Sequence, residues 1–118
     1  MNVKSCYDSI NGDYEGVISR LKDEKRVHKF LCRFPSDGNF ILLQTSLAIQ
    51  NSGVAFRAAH SLKGIAMNLG FTRLEKSATR LTDELRNQPD YNVVNEIFAE
   101  VNRDYQQIIY NIKLLDEC

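Results

Sequence analysis

The stretch VAFRAAHSLKGIAMNLG at residues 54–70 decides how the rest of the chain is interpreted. Its apolar residues recur at spacings of three and four, which is the period of an α-helix and not of a strand. At about 100° per residue they gather on one side of a helix. They are Ala55, Ala58, Ala59, Leu62, Ile65, Ala66 and Leu69. We therefore expect a helix from about Val54 to Leu69 that closes at Gly70, since glycine is favoured in the left-handed conformation that ends helices.

Helical periodicity extends in both directions from this stretch. Short helices are expected on either side of Asn11-Gly12-Asp13, and two more on either side of Pro35-Ser36-Asp37-Gly38. Thr72 and Glu75 match a capping box, so a further helix should begin directly after Gly70. The last segment carries a heptad-like apolar stripe: Val94, Phe98, Val101, Tyr105, Ile108, Ile112 and Leu115. We expect an all-α protein, an antiparallel four-helix bundle with short additional N-terminal helices.

The composition is that of a small globular domain. Of the 118 residues, 43% are hydrophobic and 25% are charged, so residues 1–118 are expected to form a single domain with one core. Fifteen Lys and Arg balance fifteen Asp and Glu, which disfavours a nucleic-acid partner. No apolar run approaches the roughly 20 residues that span a bilayer, and residues 1–10 lack the apolar region of a secretory signal. We expect no membrane association and a cytoplasmic location.

The cysteines do not suggest a disulfide framework. Cys6, Cys32 and Cys118 are far apart, with no CxxC pair and an odd count, so a reducing compartment fits best. His28 and Cys32 could share a helix face as two metal ligands, but two ligands fall short of a structural zinc site. We expect no metal and no other cofactor. Cys32 should instead be a small buried thiol, packed among Phe30, Leu31 and Phe34.

His60 lies opposite the apolar side of its helix, so we expect it to face solvent. Its own face holds Gly53, Phe56, Arg57, Lys63, Gly64 and Met67. Glycine in a helix interior costs about 1 kcal/mol relative to alanine, and no core packing explains Gly64. The missing side chain leaves the imidazole open to a bulky partner. Phe56 and Met67 form an apolar rim of the kind used for docking.

The neighbours of His60 favour phosphoryl chemistry. A neutral imidazole is a nucleophile near pH 7, and a transferred phosphoryl group needs positive charges to meet its own negative charge. Lys63 and Arg57 lie one turn to either side, and the i+3 position of Lys63 is the natural one for contact. Ser61 lies about 100° around the helix, which argues against a serine–histidine pair. The expected partner-binding residues are Phe56, Arg57, Gly64 and Met67.

An isolated surface histidine is usually only solvated, so the full string around His60 matters. AAHSLKGIAMNLGF at residues 58–71 resembles the signature of histidine-containing phosphotransfer (HPt) domains, His-x-Leu-Lys-Gly followed by Leu-Gly. The matching residues are His60, Leu62, Lys63, Gly64, Leu69 and Gly70. The resemblance implies a four-helix bundle with His60 as phosphoacceptor, Lys63 holding the phosphoryl group and Gly64 leaving space for the partner. The implied partners are response-regulator receiver domains and a hybrid sensor kinase.

On the neighbouring helix the sequence departs from this family. Many members place a Gln or a basic residue there, in contact with the histidine or its phosphate. The corresponding stretch here offers Lys76, Thr79, Arg80 and Thr82. The sequence does not select among them.

Two other functions stay open on the residues alone. The C-terminal stripe could mediate dimerisation in a non-catalytic interaction module, although we expect it to pack within the chain and the protein to be a monomer. A small acid–base enzyme could pair His60 with Glu75, Asp83 or Glu84, but these carboxylates fit exposed helix sides. No ATP-binding motif is present, so we expect a phosphocarrier without kinase activity. Whether the chain is a free-standing shuttle or part of a larger sensor kinase is not decided.

Overall fold

The computed structural model describes all 118 residues, which form seven α-helices and no strand. The helices are α1 (Val3–Ile10), α2 (Tyr14–Leu21), α3 (Glu24–Arg33), α4 (Asn39–Ala48), α5 (Ser52–Leu69), α6 (Thr72–Leu85) and α7 (Tyr91–Lys113). A 3₁₀ turn at Phe34–Ser36 connects α3 to α4. The all-α prediction is confirmed. None of the helices combines the length and apolarity that crossing a bilayer requires.

The last four helices form the bundle. Helix α5 packs between α4 and α6, and α6 packs between α5 and α7. Short loops join consecutive helices, which makes neighbours antiparallel. Aromatic rings close the bundle between α4 and α7, because the Phe40 ring stacks on Tyr105 with 3.9 Å between centroids and on Phe98 at 5.8 Å.

The apolar stripe of α7 packs inside this chain. Six of its seven predicted members are buried: Val94, Val101, Tyr105, Ile108, Ile112 and Leu115. Phe98 is only partly buried, and Ile97 occupies the core at that level instead. The stripe is therefore already covered by the chain's own helices, which removes the surface on which a coiled-coil dimer would depend.

The N-terminal helices fix the end of α5. The last carbonyls of a helix lack partners inside it and need donors from elsewhere. Here the donors are Tyr7 Oη to the Leu69 carbonyl (2.6 Å), Arg20 Nη2 and Nε to the Met67 and Asn68 carbonyls (both 3.1 Å), and the Asp13 N–H to the Gly70 carbonyl (2.8 Å). Helices α1 and α2 thus hold the helix that carries His60 in a fixed position.

Gly70 ends α5 as expected. Its φ is +73°, in the left-handed region, and an added Cβ would lie 2.7 Å from the Asp13 carbonyl oxygen. Only glycine can adopt this positive φ and also leave room for the Asp13 carbonyl oxygen without strain. The start of α5 is earlier than expected, at Ser52, because the Asn51 side chain accepts a hydrogen bond from the Val54 N–H and caps the helix.

The capping box predicted at Thr72 and Glu75 is wrong. The residue that precedes α6 is Phe71, which makes no side-chain cap, and Thr72 is already the first helical residue. The Phe71 N–H bonds back to the Ala66 carbonyl (2.8 Å), and the Phe71 ring is buried. One residue thus closes α5 and opens α6, so the turn is too short for Thr72 to serve as the cap.

Cys32 is not a buried free thiol, which corrects a second expectation. It is half-buried and forms a disulfide with Cys118, while Cys6 stays free and buried. The partners are 86 residues apart in sequence, and only the return of the chain after α7 onto α3 brings them together. The odd number of cysteines therefore did not predict that two of them form a disulfide. It also no longer supports a reducing compartment.

Candidate functional site

His60 is exposed in the middle of α5, as the periodicity predicts. The adjacent Ala59 and nearby Leu62 are completely buried, so the same helix faces the core on one side and presents the imidazole on the other. Neither ring nitrogen of His60 makes a hydrogen bond within the protein. The nearest side chains in sequence that make hydrogen bonds are those of Ser52 and Arg73. A nitrogen lone pair is consequently accessible to a reactant from solvent.

The His60 ring lies beside the ring of Phe56. The two rings are nearly parallel, with 11° between their planes and 6.2 Å between their centroids. Phe56 is half-buried against the core, so it is a fixed neighbour for the exposed imidazole. Helix geometry places these residues one turn apart on one face, which explains the contact.

Arg86 is a residue of this surface that the sequence reasoning missed. It follows the last helical residue of α6, and its guanidinium carbon lies 5.3 Å from the centroid of the Phe56 ring, in a cation–π contact. Arg86 Nη2 is also 3.5 Å from Asp83 Oδ1, with both side chains exposed. Arg86 is 30 residues from Phe56 in sequence, and the antiparallel packing of α5 on α6 brings the two side chains together.

The face around His60 is positively charged. Arg57 is exposed, Lys63 is half-buried, and neither makes an ion pair. Helix α5 contains no Asp or Glu. Free cations on a helix without acidic side chains favour the approach of a phosphoryl group.

The space above Gly64 is open. An added Cβ would meet no atom within 4 Å, in contrast with Gly12, where it would meet Tyr7 Cδ1 at 2.7 Å. Close helix packing therefore does not explain Gly64. Met67, one turn further on, is 54% exposed. The predicted partner-binding residues thus share one accessible surface of α5.

Most of the α6 candidates have their polar groups engaged elsewhere. Thr79 Oγ1 donates to the Glu75 carbonyl and Thr82 Oγ1 donates to the Ala78 carbonyl, both at 2.7 Å, and Thr82 is fully buried. Arg80 forms an ion pair with Glu100 on α7. In this structure these three side chains therefore contact partners other than His60.

Lys76 is exposed and without an ion-pair partner, but it lies at a different level. Because α5 and α6 are antiparallel, the contact of Phe56 with Arg86 puts His60 level with Thr82. Lys76 is six residues beyond that level, about 9 Å along the helix axis. Arg86 is thus nearer to the His60 level than the one free lysine of α6.

The carboxylates considered for acid–base chemistry do not form a site with His60. Glu84 Oε2 accepts from the Asp90 N–H at 3.2 Å, and Asp83 pairs with Arg86. None of the four principal clefts of the molecule is lined by His60. One of these clefts, lined by Phe56, Arg57 and Arg86 among others, lies beside the imidazole without including it.

The structure is thus a helical bundle that presents an exposed histidine, flanked by Arg57 and Lys63, on an open helix face. Residues 41–110, more than half of the chain, match the family model of the Hpt domain. The chain therefore belongs to the Hpt domain family, which confirms the resemblance seen in the sequence. Members of this family are phosphotransfer modules of phosphorelay signalling, carriers rather than kinases, and they interact with receiver domains and kinases. No curated protein and no solved structure matched the chain.

Proposed function

We propose that this protein carries a phosphoryl group on His60 and exchanges it with aspartates of response-regulator receiver domains, with a hybrid sensor kinase as a source of the group. The observation that carries the proposal is the exposed imidazole with free ring nitrogens in the middle of α5, in a chain of the Hpt family. The chemistry requires a nucleophile that a second protein can reach, and this position supplies one.

The transfer step is a direct displacement at phosphorus. The lone pair of a His60 ring nitrogen attacks the phosphorus of a receiver aspartyl phosphate, and a new N–P bond forms. The P–O bond to the aspartate breaks, and the aspartate leaves as a carboxylate. The proton on the other ring nitrogen stays on the imidazole. The same step in reverse passes the group to the next receiver.

Lys63 is proposed to hold the phosphoryl oxygens during this step. It is one turn from His60 on the same face and makes no ion pair. Because Lys63 is half-buried, holding its side chain against the phosphoryl group costs less conformational entropy than for a fully exposed lysine. Arg57 supplies a second cation on the other side. Arg86 adds a third through its place on Phe56, a role that the sequence did not suggest. Charge-assisted contacts of this kind stabilise a transferring phosphoryl group.

The docking surface for a receiver is proposed to be the face around His60 that contains Phe56, Arg57, Gly64 and Met67. The open space above Gly64 lets the receiver approach the imidazole closely. Met67 and Phe56 supply apolar area on either side. An apolar rim with free cations suits a partner that brings both an apolar surface and a phosphorylated carboxylate.

The proposed carrier is a single-domain, monomeric and cytoplasmic protein. Residues 1–118 act as one domain, since a single buried cluster draws on residues from Val3 to Leu115. The protein acts as a monomer, since its heptad stripe is covered from within. It works in the cytoplasm, because the phosphoryl group of a phosphorelay derives from ATP inside the cell.

Mapping of the phosphate tests the function. The protein is incubated with a receiver domain that carries phosphate on its aspartate, and the labelled chain is digested and sequenced by mass spectrometry under alkaline conditions that preserve N–P bonds. We expect one phosphate, on the peptide that contains His60, and its loss in acid. Phosphate on a Ser or Thr, or none at all on folded protein, would contradict the proposal.

A further inference from the structure

Three ligand-type side chains converge where the chain after α7 returns to α3. His28, Cys32 and Cys118 place their ligand atoms within 4.8 Å of one another. The sequence shows the first two as neighbours on a helix face, and the fold adds the third. This cluster has no part in the chemistry proposed for His60.

The hydrogen bond of His28 prepares its ring for a metal. His28 Nε2 lies 2.7 Å from the Asp116 carbonyl oxygen. A carbonyl oxygen can only accept, so Nε2 carries the proton and the neutral ring has its lone pair on Nδ1. Cys32 Sγ lies 3.7 Å from both ring nitrogens. A histidine whose second ring N–H is held by a backbone carbonyl is the usual arrangement around protein-bound metals.

The chain end that carries Cys118 is held by contacts other than the disulfide. Leu115 is buried in the main core, and the Asp116 N–H donates to the Met1 carbonyl at 3.0 Å. These contacts do not depend on the oxidation state of sulfur. They hold the backbone as far as Asp116 when the S–S bond is broken, so Cys118, two residues further, stays within reach of Cys32 and the two sulfurs become thiols near the imidazole.

We propose that the reduced protein binds one zinc ion through His28 Nδ1 and the thiolates of Cys32 and Cys118, with water as the fourth ligand. Two thiolates and an imidazole suit tetrahedral zinc, and three protein ligands with one open position are a known zinc arrangement. An open cleft of about 300 Å³ lies beside His28, lined by Met1, Glu24, Lys25 and Asp116 among others, and gives the ion and its water access.

Zinc and the disulfide exclude each other at this site. A dithiol reductant transfers two electrons and two protons to Cys32 and Cys118 and becomes a disulfide itself. Zinc then takes the place of the two thiol protons, which are released to solvent. The structure thus assigns a redox-gated metal site to the end of the bundle, since a sulfur in an S–S bond is not a thiolate ligand.

The test uses the full chain, reduced with a phosphine, freed of reductant without oxygen, and titrated with cobalt as a spectroscopic probe before displacement by zinc. We expect one cobalt per chain, a thiolate-to-cobalt charge-transfer band, and loss of the band on addition of zinc. Cys32→Ser, Cys118→Ser and His28→Gln should each weaken binding by more than about tenfold, the loss already typical of outer-shell partners. The oxidised protein should bind no cobalt.

Matched variants keep the test specific. Cys6→Ala and His60→Gln remove the other cysteine and the other histidine, and they should bind cobalt as the wild type does. Zinc should raise the midpoint of thermal unfolding of the reduced wild type and not of His28→Gln. Folded reduced protein without stoichiometric cobalt binding, binding that survives loss of both Cys32 and Cys118, or a reduced protein that unfolds would each overturn the proposal. None of these outcomes bears on phosphate transfer, which is measured separately.

Discussion

The rings of Phe56 and His60 lie nearly parallel, one turn apart on α5, with 6.2 Å between their centroids. Phe56 in turn lies under the guanidinium of Arg86 from the end of α6. The imidazole is thus exposed to solvent, but one side of it faces the Phe56 ring. The Arg86 guanidinium lies over that ring. This relationship connects the packing of the α5–α6 hairpin to the surroundings of His60.

Replacing Phe56 by Leu should slow phosphoryl transfer several-fold. The substitution keeps an apolar side chain but removes the ring that positions both the imidazole and Arg86. Because Phe56 is only half-buried, the free energy of unfolding should fall by no more than about 1.5 kcal/mol. Rates from quenched-flow labelling with a phosphorylated receiver check the first part. Phe98→Leu, which removes a half-buried ring from α7 instead, should leave the rate unchanged; an equal loss in both variants would refute the positioning role.

Lys63→Ala should reduce the transfer rate by about tenfold or more, since a charge-assisted hydrogen bond contributes about 1.5–3 kcal/mol. Stability should stay within about 0.5 kcal/mol of wild type, because the side chain makes no ion pair in the fold. Lys76→Ala is the matched control, an exposed free lysine on α6 at another level. If the two variants slowed transfer equally, general electrostatic attraction and not contact with the phosphoryl group would explain the effect.

Gly64→Gln should separate stability from activity. Glutamine has the better helix propensity and a Cβ at this position meets nothing, so the protein should stay as stable or gain up to about 1 kcal/mol. Transfer should slow strongly because the longer side chain occupies the space a receiver needs, while Gly64→Ala should have a mild effect. Thermal unfolding and transfer rate are measured on one sample. Gly53→Gln, about three turns away from Gly64 on α5, should leave the rate intact.

Unfolding of the Gly64→Gln variant would contradict this prediction. The glycine would then serve close packing, and the open docking face would lose its main support. An unchanged transfer rate in a stable variant would equally place the receiver elsewhere on the bundle.

The sequence could predict this site as far as local periodicity reaches. The apolar arc of α5 fixed the orientation of His60, and Gly70 marked the end of the helix. The prediction of a capping box at Thr72 was wrong because Phe71 both ends α5 and precedes α6. No local sequence pattern indicates that a buried aromatic residue occupies this turn. Arg86 and Cys118 come to their places only through the hairpin of α5 with α6 and the return of the chain onto α3. Contacts between residues that are 30 or more positions apart cannot be predicted from the spacing of apolar residues within one segment.

Stability should decrease in alkaline solution because of Cys6. Burial raises the pKa of its thiol from the ordinary value of 9.0 to about 11. As the pH rises from 9 to 11, the unfolded chain loses the thiol proton while the folded chain keeps it, so the free energy of unfolding falls across this window. Burial also raises the pKa of Tyr7, which adds to the loss at the upper end. Urea titrations across this range check the slope, and Cys6→Ala should flatten its lower part. A wild-type protein whose stability did not change there would contradict the burial of Cys6.

The most direct measurement is the labelling of His60→Gln by a phosphorylated receiver domain, beside wild type and His28→Gln. The proposed function predicts that His60→Gln takes up no phosphate, although its stability stays within about 0.5 kcal/mol of wild type because the side chain is exposed. His28→Gln, which removes the only other histidine, should be labelled as fast as wild type. Undiminished labelling of folded His60→Gln would show that the phosphoryl group is carried elsewhere.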